Sequence, residues 1–260
     1  IVTVTLNPAI DLSTTVDVVT PDHKLRCEPA VSEPGGGGIN VARVAARLGA
    51  EVRALAALGG STGDQLASLA EAHGLPIIPI KIEDDTRQSF TVLERSTQRQ
   101  YRFVLPGPDL GPETAAAVTA ALEGQRPMRC AILSGSLPPN LPPGTLTSFV
   151  DSLAGIDVII DTSGPALKEA LTTNAMLVKP SARELSDVVG RVLTTEVDVG
   201  RAAEEIAATA NVGALLVSIG AGGALLVRRS EPVIRFRAPT VQVQSTVGAG
   251  DSMIGGLAVG

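Results

Sequence analysis

Short apolar runs separated by stretches of helical period fill most of the chain. Strand-length runs fall at Ile1–Leu6, Val52–Leu58, Ala131–Leu133, Asp157–Asp161, Met176–Val178 and Ala214–Ile219. Between them, Val41, Val44, Ala45 and Leu48 recur at helical spacing, as do Leu66, Leu69, Ala70 and His73, and a helix also fits Ala202 to Ala210. Brief strands that are apolar throughout, alternating with helices, predict an α/β fold with a mainly parallel sheet covered on both faces.

Two regions break this rhythm, one from about Leu12 to Val31 and the other from about Arg87 to Leu105. Here apolar and polar positions alternate. Leu25, Cys27 and Val31 oppose Lys24, Arg26 and Glu28, and later Phe90 and Val92, then Tyr101, Phe103 and Leu105, keep the same period. A period of two means strands with one wet face. The two excursions predict a small antiparallel sheet standing off the main domain. Three of the five aromatic residues, Phe90, Tyr101 and Phe103, lie in them and read as packing.

Composition narrows the function. With 260 residues, 44% hydrophobic and 18% charged, the chain suits one large domain and is too apolar to be disordered. A net charge of −6 argues against nucleic acid as the main partner. The longest apolar runs are strand-length, so no membrane span is expected. No cleavable leader is expected either, because Ile1 already opens a strand. Cys27 and Cys130 lie far apart and form no Cys-x-x-Cys, which disfavours a disulfide scaffold or a zinc site and makes a reducing cytoplasm the expected setting. His23 and His73 are the only histidines and read as surface or helix-end residues, leaving few ways to build a Ser-His-Asp triad.

Four stretches could carry chemistry. Pro34-Gly-Gly-Gly-Gly-Ile-Asn40 opens a helix, and consecutive glycines make sense where a ligand approaches backbone N–H groups, though a flexible turn reads the same way. Ser245-Thr-Val-Gly-Ala-Gly-Asp251 allows a tight turn at another helix start, where Asp251 is either a carboxylate that takes a hydroxyl proton or a plain N-cap. Ser134-Gly-Ser-Leu-Pro-Pro139 ends an apolar strand, where open α/β sheets bind ligands and where ordinary turns also occur. Lys179-Pro-Ser-Ala-Arg-Glu184 follows another strand, with Ser181 and Glu184 spaced as a capping box. Asp11 suits sugar hydroxyls and Arg87 suits a phosphate, unless both are solvated charges. Neither the P-loop pattern GxxxxGK[ST] nor GxGxxG occurs, which disfavours a P-loop or Rossmann site.

Together and in this order, Pro-Gly-Gly-Gly-Gly-Ile-Asn-Val-Ala-Arg and Ser-Thr-Val-Gly-Ala-Gly-Asp resemble the two signatures of the PfkB, or ribokinase-like, carbohydrate kinases. The likeness spans essentially the whole chain. Thr5-Leu-Asn-Pro-Ala-Ile-Asp11, Lys24-Leu-Arg-Cys27, Tyr101-Arg-Phe-Val-Leu-Pro-Gly107 and Ser134-Gly-Ser-Leu-Pro-Pro139 bring it nearest the phosphofructokinase and tagatose-6-phosphate kinase branch. The resemblance implies a three-layer ribokinase-like domain over 1–260 with a β lid, and transfer of phosphate from MgATP to a ketohexose phosphate. Fructose 6-phosphate is the expected acceptor, with tagatose-6-phosphate kinase, 1-phosphofructokinase and a sugar-phosphate-binding protein of little kinase activity as alternatives.

It further implies roles for individual positions. Asp251 matches the catalytic base, and Gly248, Ala249 and Gly250 match the anion hole. Asp11, Gly36, Gly37 and Asn40 match sugar-binding positions, and Lys24, Arg87 and Ser136 positions near the sugar's phosphate. Lys179, Ser181, Ser218, Gly220, Gly223 and Thr246 match the nucleotide side, and Glu184 the acid that organises magnesium through water. The lid matches a sheet that joins two subunits, so a homodimer is expected, with Lys24, Arg26 and Arg102 on its polar face. Two departures stand out. The family's Asn-x-x-Glu reads Ser181-Ala-Arg-Glu184, and the chain stops at Gly260, where members of the family continue, so it reads as part of a longer protein.

Overall fold

A computed structural model of the chain describes residues 1–138, 140–240 and 248–260. The first part runs β1 (Val2–Thr5), β2 (Ala9–Val16), β3 (Val31–Gly35), α1 (Gly37–Arg47), β4 (Arg53–Leu58), α2 (Gly60–Ala72) and β5 (Ile77–Lys81). Next come β6 (Arg87–Glu94), β7 (Arg99–Val104), α3 (Pro112–Glu123), β8 (Cys130–Ser134), α4 (Thr145–Ser152), β9 (Asp157–Asp161) and α5 (Pro165–Ala170). The last part holds β10 (Leu177–Val178), α6 (Ala182–Val189), α7 (Glu196–Thr209), β11 (Ala214–Ser218), β12 (Ala224–Val227), β13 (Ile234–Phe236) and α8 (Ala249–Val259).

The main sheet has nine strands in the order β13-β12-β11-β10-β9-β8-β1-β4-β5. Its pairs from β11 to β5 are all parallel, and β12 and β13 add an antiparallel edge. Successive side chains of a strand point to opposite faces, which sorts the core into two layers. Val2, Val4, Leu133 and Ile160 pack with Val118, Leu146, Phe149 and Ala202 of the helices on one face. Ile132 and Ile159 meet Val41 of α1 and Ile254 of α8 on the other, and Ile39 and Leu66 extend that layer. The predicted three-layer α/β sandwich is therefore the observed one. Gly255 lets α8 press onto α1, since a Cβ there would stand 2.8 Å from the Cβ of Val44. Truncating Ile254, fully buried at this seam, would cost about 2–5 kcal/mol.

The second sheet has four strands in the order β3-β2-β6-β7. Both outer pairs are antiparallel, as expected, while β2 and β6 run parallel along the seam where the two excursions meet. Its first strand starts at Ala9, before Leu12, so Asp11 belongs to this sheet. One expectation fails here. Residues 24–30 form no strand and lie exposed, so the alternation of Lys24 to Glu28 has no sheet face to sort. Pro21 and Pro29 bracket the segment without N–H donors, and it ties back to β2 only at Glu28, whose N–H donates to the Thr15 carbonyl at 3.0 Å.

Register puts Leu12, Phe90, Val92, Tyr101 and Phe103 on one face of this sheet, and Asp11, Glu33, Ser89 and Arg102 on the other. Glu94 pins the far end from inside, accepting from the Val19 N–H at 2.8 Å, from the Tyr101 hydroxyl at 3.2 Å and from Thr97. Arg95 adds ion pairs to Asp17 and Glu28. No helix among the described residues is long and apolar enough to cross a membrane.

Candidate active site

The order of the main sheet reverses at β1, with β8 on one side and β4 on the other, and a crevice opens at such a switch above the carboxyl ends of the strands. Several of the sequence motifs converge there. Just past β1, the Asn7 amide donates to the Ser136 hydroxyl beyond β8 at 3.0 Å. Arg87 donates to the Asn7 carbonyl at 3.1 Å and to the Leu105 carbonyl at 3.3 Å, fastening the small sheet to the same point. The glycine run passes close above. Gly36 has φ +126°, and a Cβ on Gly37 would stand 2.7 Å from the Gly135 nitrogen, so these positions serve a close approach of backbone to backbone.

The base of the small sheet is charged, with Arg87 half-buried and Asp11 and Glu33 exposed. Burial raises the Asp11 pKa above the ordinary carboxylate value; Arg87 and Arg102 pull it down, and Glu33 pushes it up further. Burial lowers the pKa of Arg87, against the pull of Asp11. The Arg87 Nε is buried with no partner among the described residues.

Across the crevice, Gly248 takes a left-handed conformation, φ +76°, and caps α8. Asp251 stands in the first turn and accepts from the Asn40 amide of α1 at 2.9 Å. Burial raises its pKa, opposed first by that hydrogen bond and then by Lys179. Lys179 is almost wholly buried, with its Nζ 3.1 Å from Asp161 and close under Gly250. The pKa of Asp161 is pushed up to about 6 by burial, with Lys179 pulling it back and Asp251 and Glu184 repelling it. Asp11, Asn40 and Gly248 line one cleft of about 340 Å³, which joins the small sheet to the starts of α1 and α8.

A second cleft, about 420 Å³, lies along the starts of α6 and α7 and is lined by Ser181, Arg183, Thr195, Ser218, Gly220 and Gly222. Ser181 and Ser218 bridge their strands here. The capping box is formed. Ser181 donates from its N–H at 2.8 Å and from its hydroxyl at 2.9 Å to the same Glu184 oxygen, Oε2, and its hydroxyl accepts from the Glu184 N–H. Gly223 turns away, packed against the backbone of Phe236 and Ala238. Lys24 sits on the exposed loop, and Thr246 lies outside the described residues.

The description "pfkB family carbohydrate kinase" matches the chain over residues 4–260. The chain belongs to that family. It is 42% identical over 260 residues to the ATP-dependent 6-phosphofructokinase isozyme 2 of Escherichia coli, covering 99% of this chain and 84% of that protein. It is 36% identical to the 1-phosphofructokinase of Rhodobacter capsulatus, over 99% of this chain and 82% of that one. Among solved structures, phosphofructokinase-2 from Escherichia coli in complex with fructose-6-phosphate superposes with a TM-score of 0.89 at 41% identity, covering 98% of this chain and 84% of that one. The chain is thus a carbohydrate kinase, a phosphotransferase acting on a hydroxyl group.

Set in this pfkB fold, two groups stand out that the sequence reading passed over. Asp161 ends a predicted strand, and the rule that drew attention to Ser134 and Ser136 applies equally to it. Asn7 lies inside the Thr5-Leu-Asn-Pro-Ala stretch, and its tie to Ser136 depends on β1 and β8 being neighbours.

Proposed function

We propose that this kinase transfers the terminal phosphoryl group of ATP to fructose 6-phosphate, giving fructose 1,6-bisphosphate. The observation that carries the reading is the shared cleft. A half-buried carboxylate at a helix start, Asp251, is held by Asn40, and Asn40 lines the same cleft as Asp11 at the base of the small sheet. The sugar's hydroxyls then face Asp11, Asn40 and the backbone of Gly36 and Gly37. Its phosphate lies towards Arg87, Ser136 and Lys24, where the unpartnered Arg87 Nε offers a donor. Asp251 accepts the proton of the attacking hydroxyl as its oxygen bonds to phosphorus. The N–H groups of Gly248, Ala249 and Gly250, with the Lys179 ammonium below them, steady the charge that spreads over the phosphoryl oxygens.

The nucleotide occupies the second cleft, along Ser181, Ser218 and Gly220, with Gly223 and Thr246 at its margin. Glu184 keeps its other oxygen, Oε1, outside the cap hydrogen bonds, and a hard cation such as magnesium suits a carboxylate oxygen reached through water. Among the described residues no three acidic, His or Cys side chains stand together as a metal cage, so such an ion would be shared with the nucleotide's phosphates. When bound, it supplies charge neutralisation to those phosphates. A cytoplasmic setting belongs to this reading and is supported by two free cysteines, Cys27 and Cys130.

The reading includes a homodimer formed through the small sheet. The face with Leu12, Phe90, Val92 and Tyr101 is only partly covered, and Phe103 is 56% exposed. A second copy of the same face is the simplest cover. Turnover of a panel of hexose phosphates with ATP and magnesium tests the substrate. The expected order places fructose 6-phosphate first. Faster turnover of tagatose 6-phosphate or fructose 1-phosphate would replace the substrate, and sugar-phosphate binding without turnover of any would leave a binding protein.

A further inference from the structure

Asp11 and Glu33 are direct cross-strand partners of β2 and β3, so two carboxylates stand side by side on the face of the small sheet that meets the cleft. Like charges in that position repel and are destabilising. Arg43 answers the second of them. It reaches from the middle of α1 to Glu33, with Nη2 3.6 Å from Oε1, and its own side chain is largely buried. Glu33 and Arg43 flank the run Gly35–Gly38 on either side, one on the strand that enters it and one on the helix that leaves it. Asp11, Glu33, Asn40 and Arg43 all line the same cleft.

We propose that Arg43 is a positioning residue for Asp11: by pairing Glu33 across the glycine run, it neutralises the abutting carboxylate and lets Asp11 stay ionised, facing a sugar hydroxyl. This rests on the reading of Asp11 as a sugar ligand. The charged groups that face Asp11 are Arg87 from β6, Arg102 from β7 and Glu33 from β3; Arg43 of α1 acts on it through Glu33. Of these, Glu33 is the one that works against ionisation, so removing its counter-charge moves the balance one way. A packing role for Arg43 would weaken binding alike at every pH. The charge role weakens it only where Asp11 begins to protonate.

The measurement is KM for fructose 6-phosphate from pH 5 to pH 8, at saturating ATP and magnesium, on the whole protein. The titration of the sugar's own phosphate is common to all variants and cancels between them. Arg43→Ala is expected to raise KM by roughly two- to fivefold on the acid side and to converge with the wild type at pH 8, with the effect in KM rather than kcat. Adding Glu33→Gln should return the profile to that of the wild type. A profile for Arg43→Ala that overlays the wild type, or lies above it equally at all pH, overturns the inference, as does a double variant that is not restored. If Arg43→Ala does not fold, Glu33→Gln alone decides: a lower KM on the acid side supports the inference and an unmoved profile overturns it. Asp11→Asn separates the two layers of the argument. An unchanged KM in that variant removes the sugar role of Asp11 and the inference with it, whereas a raised KM beside a flat response to Arg43→Ala removes the inference alone.

Discussion

The start of α8, which stands over Lys179 at the crest of the large sheet, and the base of the small sheet line one cleft, yet the two walls hold their charged groups by different means. At the crest, Asp251, Lys179 and Asp161 sit on elements buried in the α/β core, and each has a fixed partner: Asn40 for Asp251, and Lys179 and Asp161 for each other. At the small sheet, Asp11 and Arg87 stand on strands with one wet face, and the Arg87 Nε has no partner among the described residues. A charge with a fixed partner is suited to one step repeated without reorganisation. A charge with spare capacity is suited to recognising something that arrives from solution. On the proposed function the crest carries the chemistry and the small sheet the recognition, and that division can be broken at either wall.

The largest effect is expected at the crest. Asp251→Asn keeps the shape of the helix start and removes the proton acceptor, so kcat should fall about 10²–10⁴-fold while KM for the sugar phosphate barely moves. Steady-state kinetics at saturating substrates decide it, and near-normal kcat would move the chemistry elsewhere. The next effect belongs to the other wall. Arg87→Ala should raise KM for fructose 6-phosphate roughly ten- to a hundredfold through the loss of a charge-assisted hydrogen bond, with KM for ATP unchanged. If ATP weakens and the sugar does not, the two walls have been assigned the wrong way round. The smallest effect sharpens the comparison on the outer face of the small sheet. Phe103, the cross-strand partner of Phe90, lies away from the charged face, so Phe103→Asp should split a dimer in sedimentation and raise the sugar KM only a few-fold. A wild type that sediments as a fully active monomer would end the dimer reading.

The two walls also differed in how much of them could be read in advance. The centre of the large sheet was plain in the sequence, whereas its outer strands β5, β12 and β13 were not. The predicted Asp157–Asp161 coincides with β9, and Ala131–Leu133 falls short of β8 by one residue at each end. Strands buried on both faces must be apolar throughout, and that requirement leaves a plain mark. The small sheet was legible only in part. Its second excursion obeyed its alternation, but the first did not, because a period of two cannot hold residues 24–30 in a strand when prolines bracket them and little of their backbone is paired. Within the site, Asp251 and the glycine run were visible as local motifs. The Asp161–Lys179 pair was not, because it exists only through the parallel register of β9 and β10, which sets Ile160 beside Val178 and so brings the next two residues together. Strand order is the information that a single sequence holds least explicitly. The capping box of Ser181 and Glu184 needed no such information and formed as its spacing suggests.

The parallel seam between β2 and β6 has a consequence for how the molecule comes into being. The two strands belong to distant parts of the chain, and Arg87 finds Asn7 across 80 positions of sequence. Everything from α1 to β5 lies between them. Closing so long a loop has an entropic cost that grows only slowly with its length, and non-local pairings of this kind slow folding as a whole. The pairing of β1 with β8 in the large sheet spans a still longer stretch, setting Val2 beside Ala131. All four strands of the small sheet are present by Val104, before β8 begins at Cys130, so a growing chain carries this seam complete in sequence while most of the large sheet is still to come. On the proposed function, most of the surface that meets the sugar is encoded ahead of the cleft that meets the nucleotide.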